Sequence, residues 1–112
     1  MQKMKNRAIN ALVEIGMPAD IKGFEYIVDM MVLYQDEKER HSGIVNNYNS
    51  IAEKRNSTTS RVERAIRHAF GVAVSRGNAV AVEKYLSFDN TTNGNLLHLL
   101  YLRLEQEAEE EE

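Results

Sequence analysis

Apolar residues recur along this chain every three to four positions, the spacing of helices that each bury one face. From about Met4 to Ile15, Ala8, Ile9, Leu12 and Val13 share a side, and Gly16-Met17-Pro18 then breaks the pattern. From about Asp20 to Gln35, the same holds for Ile21, Phe24, Ile27, Val28 and Met31. Asp36-Glu37-Lys38-Glu39-Arg40 and His41-Ser42-Gly43 read as a charged linker. Ile51-Ala52-Glu53-Lys54-Arg55 reads as a short helix, Asn56-Ser57-Thr58-Thr59 as a polar turn, and residues 60–76 as a longer helix. Ala79 to Leu86 makes a further short helix, Ser87 to Asn95 a loop rich in Asn and Thr, and Leu96 to about Glu105 the last helix. Strand signal is nearly absent. The pattern predicts an all-α fold, a compact bundle of about five to six helices.

The helix at 60–76 stands apart from the others. At about 100° per residue, Val62, Ala65, Ile66, Ala69, Phe70 and Ala73 gather on one side, and Ser60, Arg64, Arg67 and Gly71 line the other. Arg61, Glu63 and His68 flank that outer stripe. Ser50 is placed to cap the short helix before it, and Ser60 with Glu63 has the spacing of a capping box. Arg76-Gly77-Asn78 supplies a stop, with Gly77 suited to a left-handed position. A short helix, a tight turn and a longer basic helix form the helix-turn-helix pattern.

Charge sharpens this. The net charge of −3 at pH 7 is unevenly spread, because residues 105–112 hold six glutamates and no cation. The rest carries 14 basic against 11 acidic residues, and residues 51–78 alone carry six Lys or Arg against two Glu. The chain therefore divides into a helix-turn-helix domain over residues 1–105 and an acidic, disordered tail over 106–112. The tail reads as a solvating terminus, with competition against phosphate for the basic helix as its sharper alternative. Leu96, Leu97, Leu99, Leu100, Leu102 and Leu104 cannot all face one side of the last helix. They read as core before self-association.

The absence of cysteine rules out disulfides and thiolate metal sites and fits a reducing cytoplasm. No segment has the pattern of a signal peptide or a membrane span. Asp36, Glu39 and His41 match no established metal spacing, and no nucleophile constellation accompanies His41, His68 or His98. His98 reads as a partly buried, hydrogen-bonded histidine, and Tyr26, Met30 and Met31 as core. No enzyme, cofactor or metal is expected. Double-stranded DNA is the expected partner. An arginine fork can pair with guanine O6 and N7, which points to Arg64 and Arg67, and a carboxylate can accept from cytosine N4, which adds Glu63. Ser60, Arg61 and His68 are better placed for phosphates.

Ser60 to Ala69, together with Ser75-Arg76-Gly77-Asn78, resembles the family of C-terminal DNA-binding effector domains of stage-zero sporulation protein A. Ile15-Gly16-Met17-Pro18-Ala19-Asp20-Ile21-Lys22-Gly23-Phe24 resembles the first inter-helix turn of the same domain, so the likeness spans most of residues 8 to 105. The resemblance implies base contacts from Glu63, Arg64 and Arg67 and backbone contacts from Arg61 and His68. It also implies tandem binding as a homodimer and a surface for an RNA polymerase sigma factor over 77–87. Two departures accompany it: the chain begins at the effector domain, without the family's receiver, and Ser87 to Gly94 bears no cation where relatives carry lysine. The expectation is a sequence-specific transcription regulator with helix 60–76 in the major groove. The alternative is an interaction module that binds or restrains a full-length regulator.

Overall fold

The computed structural model describes residues 3–111, and every regular element among them is a helix. The order is α1 (Lys3–Ile15), α2 (Lys22–Leu33), α3 (Glu37–Arg40), α4 (Ile44–Arg55), α5 (Thr59–Arg76), α6 (Ala79–Tyr85) and α7 (Asn93–Glu110). None of the described helices is long and apolar enough to cross a membrane.

The centre is α2, which buries Phe24, Tyr26, Ile27, Val28, Met30 and Met31, and so presents apolar atoms on most of its circumference. A helix of that kind needs neighbours on several sides, and α1, α4, α5 and α7 supply them. The tightest approach is to α5. A Cβ at Gly23 would overlap the Ala65 carbonyl oxygen and the Ala69 methyl, so only glycine lets the two backbones meet there. A second backbone contact forms where α1 and α5 end. The Asn78 amide donates to the Ile15 carbonyl at 2.8 Å, and a Cβ at Gly77 would overlap the carbonyl oxygens of Ile15 and Ala73. Gly77 itself is extended, with φ −77° and ψ −176°, rather than left-handed as expected. Its glycine is required by crowding and not by dihedral angle.

Several boundaries differ from the sequence reading. Asp36 caps α3 by accepting from the Lys38 and Glu39 amides, so the charged linker holds a helical turn and the described residues form seven helices. Helix α4 begins at Ile44 instead of Ile51, and Ser50 lies inside it, donating to the Asn46 carbonyl at 3.1 Å. Asn46, Asn47 and Asn49 are poor helix formers, but tertiary bonds override the propensity. Asn47 is fully buried, donates to the Glu39 carbonyl at 2.8 Å and accepts from the Tyr34 hydroxyl at 3.3 Å. In α1 the buried stripe is Met4, Ala8, Ala11, Leu12 and Ile15, which leaves Val13 in solvent.

The last helix changes most. Thr92 caps it by accepting from the Asn95 amide, so Asn93 to Asn95 are helical and not loop. Leu96, Leu97, Leu100 and Leu104 are fully buried, while Leu102 stays exposed. His98 is exposed too, not partly buried, but its Nδ1 is bonded to the Gly94 carbonyl at 3.0 Å and its ring lies 4.9 Å from that of Tyr34. The acidic segment expected to be disordered continues α7 through Glu110, and Glu112 lies outside the described residues. Arg7 grips Glu111 with two bonds of 2.7 and 3.1 Å, and the Tyr85 hydroxyl donates to Glu107 at 2.7 Å.

Two outcomes follow from this packing. Gly23→Ala must push α2 off α5 and should cost about 1–3 kcal/mol, read as a thermal midpoint lower by several degrees; a midpoint within a degree of wild type would refute the contact. Burial holds the hydroxyls of Tyr34, Tyr48 and Tyr101 protonated above the ordinary value of 10.0, and burial together with Glu107 pushes Tyr85 up to about 12. Because these values are raised in the fold, their contribution is intact below pH 10 and is lost as pH rises toward the folded values. Tyrosinate absorbance and helix content should therefore change together in alkali. Titration of these four groups near pH 10 with the helices intact would contradict it.

Candidate nucleic-acid interface

Helix α4 closes at Asn56, which adopts the left-handed conformation at φ 55°, and the Ser57 amide turns back to the Ala52 carbonyl at 2.8 Å. Asparagine tolerates that conformation better than most residues with a side chain. Two residues later α5 starts. Its cap is Thr58, whose hydroxyl accepts from the Arg61 amide at 3.2 Å, and the Thr59 hydroxyl is bonded to Asn49 of α4. The expected capping box of Ser60 and Glu63 does not form, because the helix begins earlier and the third helical position is Arg61. Ser60 is an exposed residue of the first turn.

The outer face of α5 is as the periodicity predicts. Val62, Ile66, Ala69, Phe70 and Ala73 are buried, and Ser60, Arg61, Arg64, Arg67 and His68 are exposed. Glu63 is half-buried at the edge of this stripe. Its carboxylate does not reach back to the cap but accepts from Arg67 at 3.0 Å, one turn further along. The structure thus brings all six expected residues to one helix and ties two of them to each other.

The remaining cations of the basic stretch have a different task. Asp29, buried on α2, accepts from Arg55 Nε at 2.6 Å and Nη2 at 2.9 Å, and Lys54 Nζ stands 3.2 Å away. Glu25 pairs with the same guanidinium. This cluster bolts the end of α4 to α2, and the hydrogen bond with Asp29, first of all, raises the affinity of Arg55 for its proton. Lys54 and Arg55 therefore neutralise an internal acid. Among the described residues, Arg61, Arg64 and Arg76 have no ion pair.

One residue escaped the sequence reading. Lys22, the first residue of α2, is exposed and borders a groove with Arg61, Asn56 and Ser57 at the start of α5. Nothing in the linear spacing links Lys22 to Arg61. The Gly23 crossing does, because it brings the start of α2 against the first half of α5.

The acidic segment lies at the end of α7 away from Asn93. The α5 side of α7 is at Asn93, whose amide donates to the Glu63 carbonyl at 3.1 Å, whereas Glu107 and Glu111 meet Tyr85 and Arg7. At about 1.5 Å per residue, Glu107 lies roughly 20 Å along α7 from Asn93.

The family described as sporulation initiation factor Spo0A C terminal matches residues 8–104, and the chain belongs to that family. It is a family of DNA-binding effector domains of sporulation transcription regulators, not of enzymes. The division of cations can be tested directly. Arg55→Met should lower the thermal midpoint, since a charged hydrogen bond to a buried carboxylate is worth about 1.5–3 kcal/mol, while changing DNA affinity less than Arg64→Ala does. The reverse ranking, measured below both midpoints, would show that Arg55 serves DNA and not the fold.

Proposed function

We propose that this chain is a sequence-specific transcription regulator that lays α5 in the major groove of double-stranded DNA, with α4, the Asn56–Thr58 turn and α5 acting as a helix-turn-helix. The observation that carries the reading is the exposed stripe of Arg61, Arg64, Arg67 and His68 on a helix fixed at both ends, one end by Thr58 and Asn49 and the other by Gly77 and Asn78. A pinned helix holds its side chains where a base edge can be read. Arg64 and Arg67 read guanine, Glu63 accepts from cytosine, and Ser60, Arg61 and His68 meet phosphates, with Lys22 beside Arg61. Affinity then has two sources, counterion release from the phosphates and discrimination at the base edges.

The wider features of the family reading fit the same face. The loop before α7 supplies no cation and carries Asp89, so α5 and Lys22 carry the contact largely by themselves. Two copies on tandem sites would extend it. Helix α6, with Val80 exposed, offers the surface for a sigma factor over residues 77–87. Such a protein works in the cytoplasm, where the chromosome is. The second reading, an interaction module that restrains a full-length regulator, draws support from the Glu63–Arg67 pair, which occupies one of the two base readers in the free chain.

A titration separates them. Wild type, Arg64→Ala and Arg67→Ala are bound to duplexes carrying the family's recognition box and to scrambled duplexes over a range of salt. The proposal expects a preference for the box that each substitution lowers by about 1–3 kcal/mol, with a salt slope set by the phosphate contacts. Steep salt dependence without preference would reduce the role of α5 to phosphate attraction. No binding at low salt would leave the interaction module as the function.

A further inference from the structure

We propose that Asn93, which lies on α7 and outside the DNA-reading helix, is a positioning residue that fixes the rotation of α5 about its own axis and thereby the aim of Arg64 and Arg67. The inference rests on the reading of α5 as the helix that enters the groove. Asn93 spends both hydrogens of its amide nitrogen on tertiary contacts, one on the Tyr48 hydroxyl of α4 at 3.0 Å and one on the Glu63 carbonyl of α5 at 3.1 Å. That carbonyl belongs to the peptide unit joining Glu63 to Arg64, the two residues at the start of the base-facing stripe. Inside an α-helix the same oxygen already receives the amide four residues on, here that of Arg67. The bond from Asn93 is therefore not needed to make the helix; it tethers a helix that is already made, through the second lone pair of the oxygen.

The other amide atom supports this assignment. Asn93 is only 8% exposed, and its Oδ1 is buried with no hydrogen-bond partner among the described residues. A buried acceptor left unpartnered costs stability and offsets part of what the two donated bonds contribute, so the net gain in fold stability from this asparagine is small. Fold stability alone is a poor reason for an asparagine here. Placement of α5 is a better one. Gly23 fixes how closely α5 approaches α2, and Gly77 fixes where α5 ends, but neither acts from the α7 side at the level of the base readers. Arginine heads stand well out from the helix axis, so a small rotation displaces them beyond the roughly 0.5 Å that a bidentate contact tolerates.

The test compares wild type, Asn93→Leu, Asn93→Asp and Tyr48→Phe, each titrated with box and scrambled duplexes alongside a thermal melt. Asn93→Leu removes both bonds, Asn93→Asp turns an acceptor toward the Glu63 carbonyl, and Tyr48→Phe leaves the tether to Glu63 in place. The expected result is a box-to-scrambled affinity ratio about fivefold to tenfold lower in both Asn93 variants, with unchanged affinity for scrambled duplex, an unchanged salt slope, and a ratio close to wild type in Tyr48→Phe. A destabilised fold would lower both affinities by one factor, and that outcome in both Asn93 variants overturns the proposal. So does a wild-type ratio in either of them once it is folded. If wild type itself shows no preference for the box, the DNA-reading proposal has failed first; if it does and the Asn93 variants match it, only the positioning role has failed.

Discussion

The backbone contact between α2 and α5 at Gly23 is the constraint on which the rest of the structure depends. Apolar burial favours many packings of two amphipathic helices with similar energies, because the hydrophobic effect has no direction. A glycine facing Ala65 and Ala69 removes that freedom, since only one axial register lets the two backbones approach so closely. Once α2 and α5 are locked, the start of α2 lies beside the start of α5, which places Lys22 next to Arg61. The far end of α5 is set by the contact of Gly77 with Ile15, so the turn after α1 and the turn after α5 are parts of one junction. The two blocks that carry the family resemblance, residues 15–24 and residues 60–69 with 75–78, meet in space twice, at Gly23 with Ala65 and Ala69 and at Ile15 with Gly77 and Asn78. Their likeness is the likeness of a single packing arrangement.

Charge is then distributed on the frame that packing has made. A count over residues 51–78 treats six cations as equivalent, yet the fold sorts them by partner. Lys54 and Arg55 neutralise a buried carboxylate, Arg67 holds Glu63, and Arg61, Arg64 and Arg76 face solvent without ion pairs among the described residues. The glutamates of α7 are likewise sorted, gathered about Arg7, Lys84 and Tyr85 at the end of the helix away from Asn93. The chain is therefore polar in the electrical sense, with cations along α5 and acid at the far end of α7. Such a distribution orients approach to a polyanion without the acid having to touch the basic face.

The sequence was informative wherever a periodic apolar face was long. The apolar and polar faces of α5, the extent of α2 and the all-helical class were all legible from spacing. What could not be read was set by contacts distant along the chain. The first half of α4 is rich in asparagine and gives no helical signal, and it becomes helix because Asn47 finds Glu39 and Tyr34. Ser60 and Glu63 have the spacing of a cap, but Thr58 takes that place because the helix starts two residues earlier than the serine suggests. Asp29 looks like a stray acid in an apolar run; only the fold reveals that Arg55 lies against it. The six expected interface residues share one face because helical period alone dictates it, whereas Lys22 and Asn93 join them through crossings that no local pattern encodes.

The Glu63–Arg67 pair ties these threads together, because its strength decides what it can do. An exposed pair at i and i+4 on a helix is worth about 0.2–0.5 kcal/mol, and both partners here keep part of their surface in water. On the proposed reading, a guanine offering two acceptors to Arg67 returns about 1–3 kcal/mol, enough to draw the guanidinium away from the carboxylate. A lone phosphate passing the groove offers a weaker, screened attraction and has to compete with Glu63 for the same head. The pair therefore costs a correct base little and a wrong contact proportionally more, and Glu63, once released, is free to accept from a cytosine. The Asp29–Arg55 cluster cannot behave in this way, since breaking it would strand a buried carboxylate. Similar residue types thus form an exposed pair on α5, which the proposed reading makes switchable, and a fixed bolt beneath α4, and burial makes the difference.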